Sequence, residues 1–368
     1  MITVPAFTKR GYKMSPFEKP YPPDPITYSH YDALVDALEA RFGAGATGFI
    51  RDRTNIVNSR GNVWDKAAGN IQQAIDDVLG DSGGAVWLPK GKITETQPWT
   101  LDEVCPVHIY GAGMCWHDVD QGTMIRFNMG GGVHCIDVGK TGDTVHFGGL
   151  YDMALFPGSG DRDVVHLDAV TDWHMERVYI NQAKRHAFHV ESSGDCWNLY
   201  VKDCLIENAA QVGIRLEGGV GSGVILKSYF LNNYFYANAI DIEAGALDGT
   251  DGGVKLCQFH NNQHFNTTGV GFKMYRKVQG ILVMGHIFYS CGGDAVDIDD
   301  DGSGNKCSRI NIGPVLIDGQ STTPNGIDLQ GYTDHVVIDN HQIWGVTGTA
   351  INQGVNVTNI TKGDGYES

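Results

Sequence analysis

One short phrase recurs eight times from residue 163 onward, and it constrains the fold more than any other feature. Each copy has a small residue, an apolar residue, a variable polar residue, a second apolar residue and usually an acid. Neighbouring copies lie between 23 residues (Val165 to Phe188) and 32 residues (Ile240 to Phe272) apart, which is the spacing of a solenoid. We expect the first apolar residue of each copy to point into the core: Val165, Phe188, Ile214, Ile240, Phe272, Val296, Ile327 and Ile351.

The alternation within each phrase predicts a strand with one buried face. A second short apolar run follows about ten residues later, and glycine and asparagine separate the runs. This pattern leaves no room for a helix in each coil, and it lacks the leucine ladder of a leucine-rich repeat. The sequence therefore predicts an all-β chain folded as a single-stranded right-handed parallel β-helix. The residues Asn181, Asn208, Asn232 or Asn233, and Asn261 or Asn262 are expected at one turn of successive coils, where asparagine side chains can stack.

The organisation along the chain follows from composition. Residues 1–60 combine a proline-rich extended arm with an amphipathic helix, and residues 61–362 form the predicted β-helix. A short helix near 70–79 is expected to cap the open end of the solenoid. Residues 363–368 form a tail.

Charge and cysteine content exclude several classes of protein. A net charge of −16 argues against binding to nucleic acid or to an anionic membrane, and no apolar run is long enough for membrane insertion. No signal peptide is visible, and we expect an extracellular or virion-surface location. The eight cysteines are not spaced for a cysteine zinc site, so we expect them to be reduced and mostly buried.

The stretch 70–93, which ends in GGAVWLPKGKI, and the segment VHIYGAG at 107–113 resemble the opening of the pectate-lyase-like superfamily. This superfamily of β-helix proteins includes polysaccharide lyases, glycoside hydrolases, epimerases and phage tailspikes. The resemblance implies the fold and a polysaccharide or surface glycan as partner. It implies no particular activity, because one β-helix supports many chemistries and the chain has no diagnostic activity motif.

Strand parity predicts two outward columns beside the buried stack. The first column is His166, His189, Arg215, Asp241, Lys273, Asp297 and Asp328, and the second is Asp168, Glu191, Glu217, Glu243, Tyr275, Asp299 and Gln330. A row of small residues is expected to form a trough next to them: Ala187, Gly213, Ala239, Gly271, Ala295 and Gly326. Such a trough suits a linear glycan. For any single residue, simple charge pairing is an equally good interpretation.

Two chemistries fit the columns. In a lyase acting on a uronic acid, Lys273 or His189 would be the base and Arg215 would stabilise charge, with calcium on Asp241, Asp297 or Asp299. In a glycoside hydrolase, the carboxylate pair would be Asp241 with Asp297, or Glu217 with Glu243. His166, Glu217, Glu243, Tyr275 and Asp328 would bind substrate in either case. The mixture of Arg, Lys and His favours the lyase.

The run Asp297, Asp299 and Asp301 matches the start of a calcium-binding loop, so calcium is the expected cofactor and no organic cofactor is predicted. A different class of function is also consistent with the sequence. A virion tailspike or adhesin would use the same face to bind surface glycans, with or without depolymerase activity. The resemblance to tailspikes implies a homotrimer in that case.

Overall fold

A computed structural model describes residues 54–80, 82–102, 105–115, 122–139, 144–160, 162–219, 223–246, 252–299 and 306–367. The predicted N-terminal arm, its amphipathic helix and Asp301 lie outside these residues. The domain boundaries at 60 and 362 remain predictions. No helix in the described part of the chain has both the length and the apolar character to cross a membrane.

The eight recurring phrases supply eight strands of one parallel sheet that has ten strands within the described residues. Each strand pairs with the equivalent strand of the next coil, so that Val165 lies beside Phe188 and Phe188 beside Ile214. The strands are Trp99–Leu101, Ile136–Gly139, Val165–Asp168, His186–Ser192, Val212–Gly218, Ile240–Ala246, Phe272–Tyr275, Val296–Asp299, Ile327–Leu329 and Ile351–Gln353.

The remaining strands form a second, 26-stranded sheet that wraps the other sides of each coil. Most of its neighbours are parallel, whereas Ile56–Asn58 pairs antiparallel with Val63–Trp64 and Gly84–Trp87. Its other strands are Gly91–Glu95, Val107–Tyr110, Thr123–Phe127, Val145–Phe156, Val170–Asn181, Cys196–Trp197, Tyr200–Lys202, Leu205–Glu207, Val224–Leu226, Tyr229–Leu231, Tyr234–Tyr236, Gly253–Lys255, Gln258–His260, Gln263–Phe265, Val278–Gln279, Leu282–Met284, His286–Tyr289, Ser308–Ile312, Val315–Asp318, Asp334–Ile338, His341–Trp344, Thr358–Lys362 and Gly365–Glu367. The predicted all-β parallel solenoid is confirmed.

The helix Asn70–Leu79 lies where the sequence predicts one. It buries Ile71, Ala74, Ile75, Val78 and Leu79 and contacts the strands at 56–58, 84–87 and 99–101. Its apolar face thereby joins the same hydrophobic cluster as the coils.

The predicted inward stack is confirmed at seven positions and wrong at one. Val165, Phe188, Ile214, Phe272, Val296 and Ile327 are fully buried, and Ile351 is nearly so. Ile240 is only half-buried and pairs with Val212, whereas Ile242 lies between Ile214 and Phe272 in the stack. The phrase at 239–246 contains two successive apolar-polar pairs, and a period-2 pattern cannot distinguish registers that differ by two residues.

The predicted outward trough of small residues is also wrong. Ala187 and Ala295 are fully buried, and a Cβ atom on Gly271 would meet the ring of Phe288 at 2.7 Å. These residues stand at a corner where the chain enters the ten-stranded sheet, and their side chains face the core. Small residues are needed there because the corner is close to the opposite wall of the coil.

The turn asparagines stack at two different turns of the coil, whereas the sequence predicts one turn, and Asn232 follows Asp203 of the preceding coil rather than Asn208. Asn208, Asn232 and Asn261 have left-handed backbone angles, with φ of 56°, 56° and 54°. Asn208 donates to Asn181 at 3.1 Å, and Asn261 donates to Asn232 at 3.3 Å. All eight cysteines are free, and seven of them are buried, which confirms that expectation.

Candidate functional site

The outward column of the ten-stranded sheet contains a continuous run of ionisable groups. In the observed register, these residues are Asp137, His166, His189, Arg215, Glu243, Lys273, Asp297 and Asp328, and the uncharged Asn352 follows them in the same column. The column predicted from sequence is correct except at Asp241, whose place Glu243 takes. In the second column, Gly245 takes the position predicted for Glu243, between Glu217 and Tyr275.

Asp241 lies inside the coil, fully buried, at the corner position that alanine or glycine occupies in other coils. Asn238 donates to its Oδ1 at 2.8 Å, Thr267 donates to its Oδ2, and His264 Nδ1 lies 3.1 Å from that oxygen. Burial raises the pKa of Asp241 to about 8, against the lowering effect of Thr267 and Asn238. Asp241 therefore cannot contact a substrate on the outer face, and its predicted catalytic and calcium roles are wrong.

Arg215 is held by two carboxylates. Its Nη2 lies 2.6 Å from Glu217 and its Nη1 lies 3.1 Å from Glu243. Glu217 and Glu243 are both more than nine-tenths buried, although their positions face outward. Burial alone would raise the pKa of Glu217, but hydrogen bonds from His189 and Arg215 hold it at about 2. In this part of the column, charge pairing accounts for the residues.

Two histidines of the column lie between carboxylates. His166 Nδ1 is 2.7 Å from Asp137 and its Nε2 is 3.5 Å from Glu191. His189 Nδ1 is 3.0 Å from Asp163 and its Nε2 is 3.2 Å from Glu217. Burial opposes the His166 imidazolium, but the hydrogen bond with Asp137 and the nearby carboxylate of Glu191 outweigh it and raise the pKa of His166 to about 9.

Asp163 is a buried anchor that the sequence patterns did not single out. It accepts a hydrogen bond from Arg185 Nε at 2.6 Å and a second, very short one from Arg185 Nη2. His134 Nδ1 also lies 3.0 Å from it. Desolvation of Asp163 is outweighed by these partners and by His189, which hold its pKa far below the usual value. Asp163 immediately precedes the first copy of the recurring phrase. An acidic residue next to the buried strand was the sequence feature that could have indicated its role.

Three carboxylates converge two coils beyond Glu243. Asp294, Asp297 and Asp328 each offer an oxygen atom, and these atoms lie within 4.8 Å of one another. All three side chains are half-buried. Asp294 stands three residues before Asp297 in the sequence DAVD, but it lies in a turn rather than in either predicted column.

The three carboxylates have different electrostatic surroundings. Burial raises the pKa of Asp297 to about 7; Lys273 opposes this shift, and Asp299, Asp294 and Asp328 add to it. Asp328 accepts hydrogen bonds from Gln330 at 2.8 Å and Asn352 at 2.9 Å, and these two amides orient its carboxyl group. Near neutral pH, Asp297 therefore keeps its proton in part of the molecules, next to an oriented carboxyl group on the neighbouring strand.

The structure brings only some of the predicted calcium ligands together. Among the described residues, the oxygen atoms brought together are those of Asp294, Asp297 and Asp328 rather than those of Asp297 and Asp299. Three converging carboxylates are the hard oxygen donors that Ca²⁺ prefers. The residues present therefore fit a calcium ion at Asp297, with ligands that differ from the predicted set.

A different concavity lies on the second sheet. It has a volume of about 340 Å³ and is lined by Lys255, Lys277, Gln279, Lys306 and Ser308. Its lysines suit an anionic group, but its lining contains no carboxylate that could act as an acid or base. We therefore place the candidate site on the ten-stranded sheet, around Asp294, Asp297 and Asp328.

Comparison with known proteins identifies shared architecture. No protein-family model and no curated protein matches this chain. A solved structure described as ORF18 of Geobacillus virus E2 is 13% identical, with a TM-score of 0.52 over 82% of this chain and 57% of that one. The Agl-KA catalytic domain is 14% identical, with a TM-score of 0.53 over 85% of this chain and 66% of that one.

A DFA-IIIase variant from Arthrobacter chlorophenolicus A6, solved in complex with DFA-III, is 10% identical. Its TM-score is 0.50, over 79% of this chain and 80% of that one. The chain thus spans less than two thirds of the length of the viral protein and the Agl-KA domain. At these identities the similarity concerns the fold, and this protein has the right-handed parallel β-helix architecture of these structures.

Proposed function

We propose that this protein is a polysaccharide-active enzyme and that it hydrolyses a glycosidic bond at Asp294, Asp297 and Asp328. The observation that carries the proposal is the convergence of Asp297, whose pKa burial raises to about 7, with Asp328, whose carboxyl two amides orient on the neighbouring strand. Glycoside hydrolysis requires such a pair: one group protonates the leaving oxygen and the other acts as base or nucleophile.

Asp297 has the properties of the general acid. Its raised pKa leaves a proton available near neutral pH, and its side chain is half-buried rather than enclosed. Asp328 has the properties of the base or nucleophile, because Gln330 and Asn352 hold its carboxylate in place. Tyr275 and Lys273 stand on the adjacent strand, where they would contact sugar hydroxyls.

Hydrolysis fits the face better than elimination does. A lyase needs an available cation to stabilise the charge next to a uronate, but Glu217 and Glu243 already neutralise Arg215. The acid cluster would also repel an anionic polymer unless a cation intervened. A neutral glycan is therefore the expected substrate class.

The test is a screen of neutral and uronate polysaccharides with a reducing-end assay. On the substrate found, D297N and D328N should each lower kcat/KM by at least about 100-fold, the contribution of a positioned acid or base. D318N is the matched control, because Asp318 lies on the second sheet. Equal activity of D297N and D318N would overturn the assignment.

Calcium distinguishes hydrolysis from elimination. In a lyase, calcium on the acid cluster would bind the substrate carboxylate, so activity should require calcium and yield an unsaturated, ultraviolet-absorbing product. In the hydrolase, calcium would displace the proton of Asp297, so activity should fall as calcium rises. Formation of an unsaturated product that requires calcium would contradict hydrolysis and support the lyase.

The second candidate function is glycan binding by a virion surface protein or adhesin. The observation that favours it is the architectural similarity to the protein of Geobacillus virus E2. Retention on a glycan array without cleavage, together with a trimer mass by light scattering, would support this function. A monomeric mass would contradict the trimeric tailspike, and glycan turnover would show that binding is not the only activity of the protein.

A further inference from the structure

The two histidines at the start of the outward column have an arrangement typical of metal ligands. His166 directs Nδ1 toward Asp137 at 2.7 Å, and His189 directs Nδ1 toward Asp163 at 3.0 Å. A carboxylate at this distance favours hydrogen on Nδ1, although Arg185 also comes within 3.1 Å of His189 Nδ1. Metal-binding histidines commonly donate their second nitrogen to a carboxylate in this way.

Each Nε2 atom then faces a second carboxylate. His166 Nε2 lies 3.5 Å from Glu191 Oε2, and His189 Nε2 lies 3.2 Å from Glu217 Oε2. His166 Nε2 is buried and makes no hydrogen bond in the part of the chain that the structure describes. Two electron-rich atoms at such distances require a cation between them, either a proton on each histidine or one metal ion shared by the group.

The group is compact enough for one ion. One ligand atom each from His166, His189 and Glu191 lies within 4.8 Å of the others. The side chain of Glu191 is 47% exposed and can change its conformation. In contrast, the contact of Asp163 with Nδ1 fixes the imidazole ring of His189. We propose that His166 Nε2, His189 Nε2 and the Glu191 carboxylate bind a Zn²⁺ ion on the outer face of the β-helix. Two imidazoles and a carboxylate suit zinc and leave a fourth position open toward solvent.

This site is separate from the proposed hydrolytic site. His189 lies four strand spacings from Asp297 along the column, or roughly 19 Å at about 4.8 Å per strand. The ion would link the strands Val165–Asp168 and His186–Ser192. It would also neutralise Glu191, which pairs in register with Glu217 on the next strand.

The test uses the full chain after treatment with a chelator. Co²⁺ titration followed by visible absorbance should show one site per chain, and Zn²⁺ should displace the cobalt signal and raise Tm. H166A should abolish the cobalt spectrum. D137N, which changes only the partner of His166, should weaken binding by about 10- to 100-fold.

Two variants keep the test informative if H166A folds poorly. E191Q changes an exposed ligand and should weaken cobalt binding while Tm without metal stays near that of the wild type. H335A is the matched control, because His335 is an exposed histidine on the second sheet, and it should bind cobalt as the wild type does. Absence of cobalt and zinc binding to the folded wild type, or equal binding by E191Q, H166A and H335A, would overturn the proposal.

Discussion

Asp297 and Asp241 have raised pKa values for the same physical reason, but only one of them can take part in chemistry. Burial disfavours the charged form of both carboxyls. Asp241 is fully enclosed and surrounded by Asn238, Thr267 and His264, whereas Asp297 is half-buried on the outer face. The first is a structural carboxyl, and the second is the candidate acid.

The pH profile of activity should follow Asp297. A general acid must be protonated, so kcat/KM is expected to decline as pH rises through about 7, the pKa of Asp297 in the free protein. This decline can be tested by measuring initial rates on the substrate found in the screen at pH values from about 5 to about 9. An activity that instead increases steadily up to alkaline pH would contradict the role of an acid.

The stability of the wild type relative to D241N should depend on pH. The folded protein keeps the proton on Asp241 up to about pH 8, whereas the unfolded chain loses it near 3.8, the ordinary pKa of an aspartate side chain. Between these values the unfolded state binds fewer protons, so Asp241 makes the protein less stable as pH rises. The unfolding free energy of the wild type should therefore fall relative to that of D241N between pH 3.8 and about pH 8. Above about pH 8 the difference between the two proteins should be constant. Urea denaturation at several pH values measures it, and a constant difference would contradict the raised pKa.

At the scale of the element, the strand Ile240–Ala246 decides which acid faces solvent. Its register places Ile242 in the core stack and Glu243 beside Arg215. Asp241 then falls at the corner, where Asn238 and Thr267 stabilise it. The length of the preceding turn sets this register, because both isoleucines satisfy the alternation.

A pair of alanine variants tests the register. I242A removes a fully buried side chain and should cost about 2–5 kcal/mol of unfolding free energy. I240A removes a half-buried one, and its cost should stay within about 1 kcal/mol. Denaturant titration of both variants gives the comparison. A larger cost for I240A would mean that Ile240 belongs to the core stack after all.

At the scale of the whole molecule, one hydrophobic cluster extends from Ile56 to Ile351 and carries both candidate sites on a single sheet. The histidine site stands on early coils and the acid cluster on later ones, with the Arg215 network between them. Since each coil contacts only its neighbours, ions at the two sites should stabilise the protein independently.

Chelation and calcium provide a test of the acid cluster at this scale. If calcium binds Asp294, Asp297 and Asp328, added calcium should raise the Tm of chelator-treated protein by mass action. D297N should remove this response, whereas H166A should retain it. Calorimetric scans with and without calcium measure the shift in Tm. An unchanged Tm of the wild type would indicate that Lys273, and not calcium, compensates the negative charge of the three carboxylates.

The sequence alone was sufficient for the architecture and for most of the column. A small-apolar-polar-apolar phrase at solenoid spacing specifies a stacked strand, since each copy can bury its apolar residues only against the next copy. His166, His189, Arg215, Lys273, Asp297 and Asp328 were therefore placed on one face from parity alone.

Tertiary structure alone decided the register at Ile240, the inward position of Asp241 and the inward corner of small residues. It also revealed Asp163 and Asp294, whose turns bring them against residues of neighbouring coils. The physical reason is that alternation has a period of two and carries no information about turn length or about which side a corner residue faces. Those features depend on the distance between the walls of the coil, which exists only once the chain has folded.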